Sequence, residues 1–254
     1  MDPELMAPFK SQDLLNEEYG IYDNIDEAAK DAKEAFDYYV HTTFALRKNI
    51  IGNIRKLCWW HREELAKMAV AETGMGTIED KTAKNALVIE KTPGVELRES
   101  RPQPFMPGDY GLTMDGGVPF GVIGAVTPST NPAATVINNS ITMLSAGNTV
   151  IFNTHPGAKN VSNTAAALVN RAILEAGSKC ALVFSVRNPT IESSQKLMKH
   201  PEIKTLVVTG GPDVVRAGLA SGKKTIAAGP GNQPVVVDET AHIAMAAKKI
   251  VQGA

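Results

Sequence analysis

At 254 residues, with 43% apolar and 21% charged side chains, the chain has the composition of an ordinary soluble globular protein and the length of one large domain or two modest ones. Its net charge of -1 argues against a nucleic acid or an anionic membrane as the main partner. Two cysteines, Cys58 and Cys180, argue against a disulfide scaffold or a cysteine-rich metal site and point to the reducing cytoplasm. No apolar run approaches the span of a membrane helix, and the N-terminus lacks the basic-then-apolar pattern of a signal peptide.

The first ninety residues read as helical. Asn24 or Asp26 caps a helix running from Glu27 to about Val40. A longer helix runs from about Thr43 to Glu72 and stops at Gly74, with Leu46, Ile50, Ile54, Leu57, Leu65 and Met68 at helical spacing. A third spans about Thr77 to Lys91 and ends before Pro93. Cys58 and His61 in the middle of the long helix invite a catalytic reading. Core and rim packing of the run Cys58-Trp59-Trp60-His61 on an amphipathic helix is favoured instead, because adjacent helical residues point to different faces. From Pro93 to Gly117 the pattern dissolves into prolines and glycines. Tyr110 to Val118 there resembles a strand, a glycine turn and a return, read as an exposed hairpin on a linker.

From Val118 the chain alternates. Strands are expected at about 121–126, 149–153, 182–186, 205–209, 225–227 and 235–237. Helices are expected at about 132–146, 159–176, 191–200, 212–220 and 241–252. This rhythm implies βαβ units on a parallel sheet, an α/β Rossmann-like fold flanked by helices and preceded by the helical segment and the hairpin arm. Ligands on such sheets bind at the carboxyl ends of the strands. The loops that matter are therefore 127–131, 154–159, 210–212 and 228–233.

Asn131, directly before Pro132, is a natural helix N-cap, and its amide is also suited to stabilising an oxyanion. Thr209-Gly210-Gly211-Pro212 joins a strand to a helix, where glycines let backbone approach a phosphate. No G-x-G-x-x-G fingerprint occurs, and Gly218 to Lys223 approximates a Walker loop only with the wrong spacing. His155 reads as a surface histidine of a loop. Ala228-Gly229-Pro230-Gly231-Asn232-Gln233 is flexible enough for close approach of a ligand or another backbone.

Five phrases in this order, 69–80 (AVAETGMGTIED), 121–132 (GVIGAVTPSTNP), 152–159 (FNTHPGAK), 206–212 (LVVTGGP) and 227–239 (AAGPGNQPVVVDE), resemble the aldehyde dehydrogenase superfamily. More closely, they resemble its CoA-acylating branch, the acetaldehyde and propionaldehyde dehydrogenases. The resemblance implies a five-stranded domain that binds NAD, in preference to NADP, without the glycine fingerprint. Hydrolytic members carry a lysine where this chain has Phe152-Asn153 and a water-activating glutamate where it has Ala228-Gly229. Without that glutamate a thioester persists until a better nucleophile, the CoA thiol, arrives.

The branch uses a cysteine nucleophile located after the glycine loop and the following helix, a position matched by neither Cys58 nor Cys180. The resemblance thus implies three parts: helices over 1–92, a linker with an oligomerisation-type hairpin over 93–119, and an NAD-binding part over 120–254. The nucleophile, the catalytic domain and the strand pairing with the hairpin would lie elsewhere, leaving these residues inactive by themselves. By motif, Thr127, Pro128 and Ser129 fall under the nicotinamide, and Thr154, His155 and Pro156 near the adenosine. Gly210 and Gly211 fall at the pyrophosphate with Val214 packed nearby, and Ala228 and Gly229 at the glycine loop. Asn131 is the oxyanion donor, with Thr130 the competing occupant; no metal is implied. Partners are a small aldehyde, NAD, CoA and further copies of the chain as a dimer or tetramer, in the cytoplasm or within a bacterial microcompartment. The alternatives are the aldehyde dehydrogenase half of a bifunctional aldehyde-alcohol dehydrogenase and a non-catalytic nucleotide-binding protein.

Overall fold

The structure, a computed structural model, describes residues 14–97, 105–229, 231 and 234–253. Strands β1 (Ile21–Tyr22), β4 (Val122–Val126), β5 (Thr149–Asn153), β6 (Val183–Val186), β7 (Ile203–Thr209) and β8 (Lys224–Ala228) form one sheet in the order β1-β6-β5-β4-β7-β8. Every neighbouring pair is parallel. Residues of β4, β5 and β6 are buried throughout, as expected of parallel strands covered on both faces. The chain moves outward from β4 through β5 to β6, then returns to the other side of β4 as β7. The β4/β7 boundary is therefore a topological switch point, where connections leave in opposite directions and open a crevice.

The covering helices are α1 (Ile25–Tyr39), α2 (Phe44–Trp60), α3 (Arg62–Thr73), α4 (Ile78–Lys91), α5 (Pro132–Ser145), α6 (Lys159–Glu175), α7 (Ile191–Lys199), α8 (Pro212–Leu219) and α9 (Ile243–Gly253). Helices α5 and α6 pack on each other and on the sheet, and α2, α3 and α4 pack over them. Helices α1 and α7 touch each other and the central strands. Gly124 makes room for α7 and β7: a Cβ there would lie 3.0–3.2 Å from Leu206, Ile203 and Leu197. Asn24 and Thr77 cap α1 and α4 with their side-chain oxygens. Glu72 accepts from the amides of Asn160 and Val161 at 2.9 and 2.8 Å, closing the N-terminus of α6. Part of the 69–80 phrase is thus a capping device.

Four expectations change. The long helix breaks at His61 (φ -95°, ψ 8°) without glycine or proline. Arg62 donates to the Trp59 carbonyl at 2.6 Å and stacks on its ring, so side chains satisfy the backbone that the break frees. The hairpin turns earlier than expected: β2 (Phe105–Gly108) pairs with β3 (Gly111–Met114) around Asp109 and Tyr110, and Gly116-Gly117 is not its turn. Gly111, at φ 142°, supplies the backbone that this tighter turn requires. Residues 235–237 form no strand among the described residues, because β-branched propensity makes no strand without a neighbouring ladder. The sixth strand is instead β1, too short for any periodicity to reveal. Pro102 and Pro104 of the linker, and Pro230, Asn232 and Gln233 of the glycine loop, lie outside the described residues.

Candidate cofactor site

A parallel sheet puts all its strand ends on one edge. Register pairs Val126 with Asn153 and Val208, and Thr209 with Ala228. One step further along, Thr154, Thr127 and Thr209 stand side by side at the carboxyl edge, with Ala228 beyond them. Thr130 and Asn131 follow on the β4–α5 loop, His155 and Pro156 on the β5–α6 loop, and Gly210 and Gly211 between β7 and α8. The structure thus brings every candidate site residue to one edge of the sheet, on both sides of the switch point. Thr209 is an addition; as a polar residue closing an apolar strand, it was open to notice in the sequence.

The edge contains polar groups without protein partners. Thr127 is 2% exposed and Thr154 1% exposed, yet the hydroxyl of neither has a hydrogen-bond partner among the described residues. A buried hydroxyl left unpaired costs about 1–3 kcal/mol; both oxygens lie beneath the edge, like the unpaired hydroxyls of Ser140, Ser162, Thr164 and Thr205 elsewhere in the fold. Asn153, where hydrolytic relatives were expected to carry lysine, is turned toward α7. Its oxygen accepts from Ser193, and its amide donates to the Thr190 carbonyl at 3.5 Å. Those two residues also form the capping box of α7.

The glycines divide the work. The Gly210 amide donates to the Ala228 carbonyl at 3.2 Å, prolonging the sheet by one step. A Cβ on Gly210 would lie 2.7 Å from Val214, so this glycine answers to packing. Gly211 faces open space and begins α8, which leaves it as the glycine free for close approach. His155 is exposed, and its Nδ1 accepts from the Gly157 amide at 3.1 Å, shaping the turn over Pro156–Ala158. Ala228 and Gly229 are exposed. Pro128 and Ser129 are half-buried beside Thr127.

Asn131 does not behave as a side-chain cap. It makes no capping hydrogen bond, although its backbone carbonyl accepts from the Thr135 amide at 3.0 Å and the Thr135 hydroxyl at 2.7 Å. The cysteines lie apart from this edge. Cys58 is wholly buried in the core, and burial pushes its thiol up to about 12. Cys180 sits half-buried in the α6–β6 connection, at the amino end of the sheet, and burial raises its thiol too. The Walker-like Lys223 is also at that far end, where its ammonium donates to the carbonyls of His200 and Ile203 at 2.9 and 2.8 Å. Among the described residues no cluster of His, Cys, Asp and Glu could hold a metal ion, and no helix is long and apolar enough to cross a membrane.

Comparison with known proteins agrees with this architecture. The chain is 49% identical over 238 residues to an acetaldehyde dehydrogenase (acetylating) of Bilophila wadsworthia, covering 93% of this chain and 48% of that protein. It superimposes with a TM-score of 0.88 and 49% identity on a propionaldehyde dehydrogenase from the Clostridium phytofermentans fucose utilisation bacterial microcompartment, over 92% of this chain and 53% of that one. A propionaldehyde dehydrogenase of Rhodopseudomonas palustris, solved with bound CoA and an acylated cysteine, matches at 43% identity and a TM-score of 0.85, over 92% and 53% of the two chains. The chain spans about half the length of the curated relatives it matches. The model of the aldehyde dehydrogenase family matches residues 3–254, and the chain belongs to that family.

Proposed function

We propose that these residues form the dinucleotide-binding part of a CoA-acylating aldehyde dehydrogenase, which converts a short-chain aldehyde, NAD and CoA to acyl-CoA and NADH. One observation carries the acylating reading. The edge loops 127–131, 154–159, 210–212 and 228–233 contain no aspartate or glutamate. No carboxylate on them can deprotonate a water, which supports a thioester that waits for a thiol.

Thr127 and Thr154 form the floor beneath a dinucleotide lying along the edge, and Gly211 offers a backbone without a side chain in its way. NAD, when bound, takes up the hydride of the aldehyde carbon. Asn131, its amide not spent on capping, donates to the carbonyl oxygen as negative charge gathers there. We place the cysteine nucleophile and the catalytic domain outside these 254 residues, with 1–92 supporting and 120–254 forming the cofactor part. The exposed hairpin β2–β3 is proposed as the arm that joins copies into a dimer or tetramer. Relatives associated with microcompartments support that location as well as the cytoplasm at large.

The test is product analysis of the complete enzyme carrying this sequence. With propionaldehyde or acetaldehyde, NAD and CoA, acyl-CoA is expected, and without CoA turnover stops after the acyl-enzyme forms. Steady release of free acid without CoA would sink the acylating reading. NAD binding by the 254-residue chain without turnover is the matching expectation for the isolated part.

A further inference from the structure

Lys81 is in the first turn of α4, with Lys84 three residues on. Neither placement helps that helix: a cation at a helix N-terminus opposes the macrodipole, and like charges at this spacing repel. Helix α4 already has its cap in Thr77 and acids in its first turn, Glu79 and Asp80. Lys81 instead reaches across to another element. Its stem passes Gly76, and its ammonium donates to the Thr130 carbonyl at 2.8 Å. Partial desolvation, and then Lys84, pulls this ammonium below the ordinary lysine range.

Thr130 immediately precedes Asn131. Lys81 therefore holds the carbonyl of the peptide unit entering Asn131, while Thr135 holds the carbonyl of the unit leaving it. In a trans peptide the carbonyl and the next N–H point opposite ways, so fixing the Thr130 oxygen fixes the plane from which the Asn131 side chain departs. Both planes are held while the side chain makes no cap bond. The gap lined by Lys81, Lys84, Asn85, Asn131 and Pro132 has only about 10 Å³, room for about one water, so this lysine serves the protein and not a second ligand there.

We propose that Lys81 is a positioning residue, holding the β4–α5 loop from α4 so that Asn131 presents its amide to the developing oxyanion. This rests on the reading of Asn131 given above. In the complete enzyme, Lys81→Met is expected to lower kcat on the order of 10- to 100-fold, the scale of a small misplacement of a catalytic group, with the KM for NAD and the melting temperature near wild type. Lys81→Arg, which keeps a charged donor, is expected to restore most of the loss. Asn131→Ala separates the two ideas: if it leaves kcat intact, the oxyanion reading fails, whatever Lys81 does. If Asn131→Ala lowers kcat and Lys81→Met does not, the positioning role alone is overturned. The double variant decides between routes. A lysine acting through Asn131 adds little to the loss of Asn131→Ala, whereas fully additive losses overturn the proposal. If Lys81→Met melts early, kcat of Lys81→Arg decides alone, and failure to recover activity in that folded variant counts against the proposal.

Discussion

The two sides of the sheet are built on different terms. From β4 through β5 to β6 the strands are buried on both faces, and Phe152 has no exposed surface at all. From β8 outward the chain is open. Residues of β8 alternate between exposed and half-buried, Ile226 is 55% exposed and Val236 91% exposed, and Ile243, Met245 and Val251 of α9 face solvent. Both sides have apolar, strand-forming sequence. What differs is whether an element lies within reach to cover it. The candidate cofactor edge draws on both, since Thr127 and Thr154 follow the closed strands β4 and β5 while Ala228 ends the open β8.

Paired substitutions test this contrast most strongly. Phe152→Ala is expected to cost about 3–5 kcal/mol of unfolding free energy, whereas Ile226→Ala stays within about 0.5 kcal/mol. Equal losses in denaturant titrations would erase the distinction between the two sides. Next in size comes Asn170 on α6. Its oxygen accepts from the amides of Leu182 and Val183 at 3.1 Å, and its nitrogen donates to the Tyr19 carbonyl at 2.8 Å and to Val183. Asn170→Ala strands two buried amides and is expected to cost about 2–3 kcal/mol, with early hydrogen exchange at β1 and β6.

Thr127→Val sharpens the contrast at the boundary itself. Replacing an unpaired buried hydroxyl with a methyl is expected to raise unfolding free energy by about 1 kcal/mol. Calorimetry checks it, and a destabilised variant would mean that the hydroxyl is paired after all. The smallest effect is chemical. Below pH 9 the buried Cys58 thiol is expected to stay protonated and resist alkylation, because burial has pushed its pKa to about 12. Half-buried Cys180 should react first and slowly, and modification of native Cys58 at a comparable rate would contradict its place in the core.

Much of this was legible in advance because it is local. Alternation of short β-branched runs with amphipathic stretches located β4, β5, β6, β7 and the helices between them, and glycine and proline marked their ends. Placing the ligand loops needed only the rule that parallel strands end on one edge. The break at His61 was invisible because it replaces no residue with a breaker; Arg62 and Trp59 make it tolerable only once folded. The Val235–Val237 run misled because strand propensity says nothing about whether a neighbour is available to pair.

By itself, the sequence determined the fold class, the order of the loops and their chemistry: no carboxylate within the four loops, and glycines beside Pro212. The physical reason is that hydrophobic period and backbone permissiveness act within a few residues. Only the tertiary structure decided which groups have partners. It left Thr127 and Thr154 unpaired, took up the Gly210 amide and kept Gly211 open. It also brought Lys81 to Thr130, 49 residues away in the chain. Hydrogen-bond satisfaction is settled between elements distant in sequence, and no periodicity encodes it.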